Sequence, residues 1–147
     1  MDWQEQPVLV TGASGFLGSA VSRALLAQGR AVRVMLRPTS DLRNIDGIAV
    51  EERIWSLEDE PSLAAAVQGC GAIYHVAADY RLWVRDPAAM YAANVDGTTQ
   101  LMRAALRAGV KRVVHTSSVA TLGLMRGGAP ADETTPSSLA DMIGPYK

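Results

Sequence analysis

The chain has 147 residues, 48% hydrophobic and 20% charged, with a formal net charge of -1. That is the size and make-up of one globular domain with a real core, and the near-neutral balance gives no electrostatic ground for a nucleic-acid or membrane-surface partner. A single cysteine, Cys70, excludes an internal disulfide and a cysteine-built zinc site, so no metal centre is expected.

The first predicted element is a strand, Val8–Thr11. It runs into Gly12, Ala13, Ser14, Gly15, Phe16, Leu17 and Gly18, and an amphipathic helix follows over 16–28. Three glycines spaced three apart, between a strand and a helix, suit the presentation of a helix N-terminus to a dinucleotide pyrophosphate. Without a Cβ, Gly12 makes the tight turn, Gly15 lets the backbone approach the phosphates and Gly18 lets the helix pack on the strand. Ser14, Phe16 and Leu17 complete the candidate binding segment. A glycine-rich turn with no ligand is the blander alternative; the flanking strand and helix argue against it.

Gly29 sits where a left-handed residue closes the first helix, and a second strand follows over 31–36. Cofactors with an unphosphorylated ribose usually meet an acidic residue about 20 residues past the glycines. This chain has Leu36, Arg37, Pro38, Thr39 and Ser40 there. Two readings of Arg37 stand: a partner for a 2′-phosphate, with Thr39 and Ser40 as hydroxyl donors, or a solvated strand-end cation. Asp41 falls a few residues late for the usual ribose acid. The expectation is NADP in preference to NAD.

A third strand over 48–54 is polar at Glu51, Glu52 and Arg53, which suggests a sheet edge. A helix over 61–68 and Gly69 lead to Cys70, read as a small buried residue and not a reactive thiol. The fourth strand, 72–76, ends in His75, Val76, Ala77 and Ala78, where two alanines leave room for a flat ligand. His75 itself reads most simply as an inward or capping histidine. A long helix over 87–108 contains Asn94, which competes for backbone hydrogen bonds and suggests a local distortion or an ordered water. Gly109 closes that helix. The fifth strand, 112–116, is read as central, and its carboxyl end carries Thr116, Ser117 and Ser118, where open α/β sheets bind ligands. No nucleophile elbow surrounds Ser118, so it suits hydrogen bonding to a substrate oxygen better than attack. Beyond Val119 the chain reads as a long loop. Strands alternating with helices predict an α/β fold with a doubly wound parallel sheet. No signal segment or apolar run of about 18 residues is present, so a cytoplasmic protein without a membrane span is expected.

Together these motifs resemble the extended short-chain dehydrogenase/reductase superfamily, the NAD-dependent epimerases and dehydratases. The resemblance spans the chain, through the 11–18 fingerprint, His75 to Ala78, Asn94 to Thr98, Thr116 to Ser118 and Asp132 to Pro136. More narrowly, residues 77–83 and 117–123 look like the hopanoid-associated sugar epimerase and dihydroflavonol 4-reductase-like group. The resemblance implies a Rossmann domain over 1–147, corresponding to the N-terminal portion of such an enzyme and incomplete at its C-terminal end. It implies catalytic roles for Ser118, Tyr146 and Asn94, the last supporting a proton-relay water. It also implies cofactor contacts along Gly12 to Gly18, Arg37, His75, Ala77, Ala78, Thr116 and Ser117.

Two departures stand out. The family's lysine four residues after the tyrosine would fall past Lys147, and without it Tyr146 should be a poor acid/base, since a phenol titrates near about 10. The chain alone is therefore expected to be inactive. Where the family usually has an acidic residue near the adenine, this chain has Trp55, Ser56 and Leu57. The implied function is an NAD(P)-dependent oxidoreductase or epimerase acting on a nucleotide sugar or a related hydroxyl or carbonyl compound. The alternatives are a dihydroflavonol-reductase-like carbonyl reductase using NADPH and a non-catalytic dinucleotide-binding module. The family dimerises through two helices, which makes 87–108 a candidate homodimer surface. Met90, Leu101 and Leu106 on it are more often core. Tyr80 and Trp83 are read as substrate-pocket lining or plain packing.

Overall fold

The computed structural model describes residues 2–55, 59–125, 127 and 129–142. Five parallel strands, β1 (Val8–Thr11), β2 (Val32–Leu36), β3 (Glu51–Ile54), β4 (Ala72–His75) and β5 (Arg112–His115), form one sheet in the order β3-β2-β1-β4-β5. Helices α1 (Phe16–Ala27), α2 (Glu60–Val67) and α4 (Gly97–Ala108) make the crossovers, with a short α3 (Pro87–Tyr91) before α4.

The alternation of side chains along each strand sorts the core into two layers. Leu9, Met35 and Ile73 point to one face, where they meet Leu63, Ala66 and Val67 of α2 and Leu101, Ala104 and Ala105 of α4. Val8, Val10, Val34, Leu36 and Ala72 point to the other, against Leu25 of α1 and Ile45. A sheet covered on both faces needs near-continuous apolar strands, and β1 is buried at all four positions. Helix α1 turns Gly18, Ser19 and Ser22 inward, and the serine hydroxyls donate to its own carbonyls, at Phe16 (3.0 Å) and Gly18 (2.9 Å).

Within β2, Arg33 donates to the Ala66 and Gln68 carbonyls at the end of α2 (2.9 and 2.7 Å) and to Glu51 of β3 (2.8 Å). A cation there complements the negative helix end and ties three elements together. Cys70 is buried, and desolvation pushes its thiol up, as expected of a structural cysteine.

The polar β3 does lie at a sheet edge. On the other side β5 is the last strand of the described sheet, with all four residues exposed. The helix expected over 87–108 is interrupted by one turn of π-helix, Ala92–Asp96. Gly29 and Gly109 take the left-handed conformation expected of them, with φ of 75° and 74°. Met90 and Leu101 are core, whereas Leu106 faces solvent. Among the described residues no helix is long and apolar enough to cross a membrane.

Candidate cofactor-binding and active site

The described candidate residues follow the carboxyl ends of β1, β2, β4 and β5, apart from His75 at the end of β4, Phe16 to Gly18 in the first turn of α1 and Asn94 in the π-helical turn. Gly12 follows β1 with φ 69°, a conformation other residues adopt only at a cost. A Cβ on it would lie 2.8 Å from the Ala77 nitrogen, so the glycine turn and the end of β4 are in backbone contact. A Cβ on Gly18 would run into the Gly12 carbonyl oxygen. The turn closes with Gly15 N–H donating to the Gly12 carbonyl at 3.0 Å, and Asn44 Nδ2 braces it through the Ser14 carbonyl at 2.8 Å.

Helix α1 starts without a side-chain cap and with no acidic residue in its first turn. By contrast, Asp59 caps α2 and Asp86 caps α3 through their carboxylates. Helix N-termini carry unsatisfied amides and a positive partial charge, so a cap is the usual solution and an anion the other. Phe16, at 91% exposure, leaves this end open to solvent. A glycine turn packed this closely against the end of β4 and its own helix, below an uncapped helix end, fits a pyrophosphate.

Arg37 follows β2 directly. Its own N–H donates to Ser40 Oγ and its carbonyl accepts from Ser40 N–H, both at 2.9 Å, which makes a tight turn that holds the arginine at the rim. Among the described residues its guanidinium makes no ion pair. Asp41, the late candidate for a ribose acid, is gripped by both nitrogens of the Arg43 fork, which hold its carboxyl down to about 2. The carboxylate is thus engaged elsewhere.

At the end of β4, Thr11 Oγ1 accepts the N–H groups of Val76 and Ala77, each at 3.1 Å, and lies 2.7 Å from His75 Nδ1. His75 Nε2 lies 2.8 Å from Thr98 Oγ1 on α4, and the ring stacks on that of His115 at 5.1 Å. Burial, with a smaller effect from His115, takes its pKa down to about 4. The inward reading of His75 therefore holds. Thr11 and Thr98 were not singled out from the sequence, which shows only that each is a threonine 64 or 23 residues from the histidine.

Asn94 sits in the π-helical turn, the distortion its sequence position suggested. Its side chain bonds both ends of one peptide position, accepting Asp79 N–H at 2.7 Å and donating to the Asp79 carbonyl at 2.8 Å. Asp79 also receives the Arg81 guanidinium, which keeps its carboxyl low. Among the described residues Tyr80 and Trp83, in the loop that this clamp holds, are 75% and 78% exposed. Ala77 and Ala78 are exposed beside the glycine turn, and Thr116 and Ser117 are exposed after β5. Ser118 Oγ accepts Ala120 N–H at 3.1 Å and caps a single 3₁₀ turn, Val119–Thr121. Trp55 packs half-buried against the core. Tyr146, Lys147, Ser56 and Leu57 lie outside the described residues.

Helices on both faces of a parallel sheet, with a glycine turn leading from β1 into an uncapped α1, define a Rossmann-type α/β domain. Residues 8–147 match the NAD dependent epimerase/dehydratase family, and the chain belongs to that family. It is 44% identical over 129 residues to Sterol demethylase protein B of Methylococcus capsulatus, covering 88% of this chain and 39% of that protein. It is 36% identical over 141 residues to a dihydroflavonol 4-reductase of Hordeum vulgare, covering 89% and 40%. Among solved structures, gox2253 matches with a TM-score of 0.88 and 53% identity over 95% of this chain and 42% of that one. A UDP-glucose-4-epimerase from Stenotrophomonas maltophila, solved with NAD and formylated UDP-arabinopyranose, matches with a TM-score of 0.81 and 29% identity, covering 96% and 44%. The chain spans about two-fifths of the length of the curated relatives it matches.

Proposed function

We propose that this chain is the cofactor-binding part of an NAD(P)-dependent oxidoreductase or epimerase that acts on a nucleotide sugar or a related hydroxyl or carbonyl compound, with NADP preferred. The uncapped N-terminus of α1 below the Gly12 to Gly18 turn carries this reading. There the amides of Phe16, Leu17 and Gly18 grip the pyrophosphate, with Gly12, Ser14 and Gly15 shaping the loop around it. Arg37 pairs with a 2′-phosphate, while Ala77, Ala78, Thr116 and Ser117 line the crevice.

When bound, the nicotinamide supplies the hydride donor or acceptor. The chain's own part is to orient and to move a proton: the Ser118 hydroxyl hydrogen-bonds the substrate oxygen, and the Tyr146 phenol gives or takes its proton. Asn94 holds the β4–α3 loop through Asp79 and supports the relay water. A carbonyl reductase of the dihydroflavonol type is the second reading, favoured by Arg37 and by the Hordeum vulgare relative. An epimerase retains its cofactor; a reductase consumes it, and nicotinamide absorbance separates the two.

Calorimetric titration of NADP and NAD tests the cofactor reading. The wild-type chain is expected to bind NADP more tightly. Arg37→Ala should weaken NADP by about tenfold to a hundredfold, the worth of charge-assisted phosphate bonds, and leave NAD nearly unchanged. Unaltered discrimination in that variant would remove Arg37 from the site.

A further inference from the structure

Thr11 closes β1, His75 closes β4, and the parallel register sets them side by side. A hydroxyl has one proton to donate and two lone pairs to accept with. Both lone pairs of Thr11 Oγ1 are taken by the Val76 and Ala77 amides, so its proton goes to His75 Nδ1, 2.7 Å away. Nδ1 is therefore the bare nitrogen. In the neutral ring the proton then sits on Nε2 and is donated to Thr98 Oγ1. An imidazolium does not fit, because two donors would face each other across Nδ1.

We propose that His75 is a positioning residue for the cofactor crevice: as its Nε2–H tautomer it locks the Thr11 hydroxyl, which fixes the Val76 and Ala77 amides and with them the contact between β4 and the Gly12 turn. The backbones leave no slack there, since a Cβ on Gly12 would lie 2.9 Å from the Ala77 Cα as well as 2.8 Å from its nitrogen. Any drift of Ala77 is a drift of the phosphate loop. The relay continues to the other side of the crevice. Thr98 stands four residues after Asn94, and Asn94 fixes the backbone of Asp79, two residues beyond Ala77. One buried ring thus joins β1, β4 and α4 where the crevice opens. The lowered basicity of the ring, from burial and from His115, keeps it in the neutral form this geometry needs.

The inference rests on the turn being a dinucleotide site, and the test separates the two. Nitrogen-15 NMR of the imidazole in the wild-type chain reads the tautomer without any ligand; Nε2–H with Nδ1 as acceptor is expected. Thr11→Val, which removes the hydroxyl and nearly keeps the shape, should weaken NADP binding by about tenfold in calorimetry well below its unfolding midpoint, and Thr11→Ser should restore it. A role confined to stability would lower the midpoint of Thr11→Val and leave its NADP affinity as in the wild type. That result, or an Nδ1–H tautomer in the wild-type chain, overturns the proposal. If the wild-type chain takes up neither NADP nor NAD, the proposed function falls, and the tautomer spectrum alone decides the relay.

Discussion

Gly18→Ala is expected to destabilise the chain by about 3 kcal/mol and to abolish measurable NADP binding, the upper end of what overpacking costs. The added methyl would overlap the Gly12 carbonyl oxygen and lie 2.9 Å from the Ala13 Cα, and neither atom belongs to a side chain that can rotate away. Relief requires α1 to lift off β1, which moves the amides of Phe16 and Leu17 out of the cradle. Gly29→Ala is the control. It sits at φ 75° with nothing within 4 Å of its added methyl, so it pays only left-handed strain of about 1 kcal/mol and keeps NADP affinity. Urea denaturation and calorimetric titration of both variants check this. Gly18→Ala binding like the wild type would show that the close packing of helix on strand is not what shapes the site.

Acidification gives the second large effect. In the unfolded chain His75 binds its proton near 6.5, and in the folded chain only near 4. Between those values the unfolded state holds more protons, so stability rises with pH across the window and is lost as pH falls through it. The loss approaches about 3 kcal/mol at pH 4, and the full contribution is present above 6.5. The groups facing the ring are Thr11 on β1, Thr98 on α4 and His115 on β5. Glu51 and Asp79 are lowered from 4.5 and 3.8 by Arg33 and Arg81, so their losses begin only lower, as those carboxylates take up protons. Stability measured by urea at a series of pH values should therefore fall from 6.5 toward 4.5 in the wild type and stay flat there in His75→Gln. An equal slope in both would assign the acid sensitivity to another group.

Local chemistry made much of the fold readable in advance. Apolar strands, glycines at the ends of α1 and α4 and the spacing of Gly12, Gly15 and Gly18 each act within a few residues, and each stands where its sequence put it. The π-helical turn at Ala92–Asp96 was legible only as an oddity at Asn94, because a single wider turn barely disturbs the spacing of Met90 and Leu101. The Thr11–His75–Thr98 relay joins three elements far apart in sequence, and no local pattern marks a threonine whose partner arrives with another strand. Asp41 shows the converse: a carboxylate read as a few residues late for the ribose pairs with a neighbour two residues away.

An NMR titration of the nitrogen-15-labelled chain with NADP is the most direct test of an anion held at the start of α1. The largest amide shifts should fall on Phe16, Leu17 and Gly18, with smaller ones at Gly15, Arg37 and Ala77. Shifts confined to other elements, or none with either pyridine nucleotide, would contradict a phosphate-binding turn.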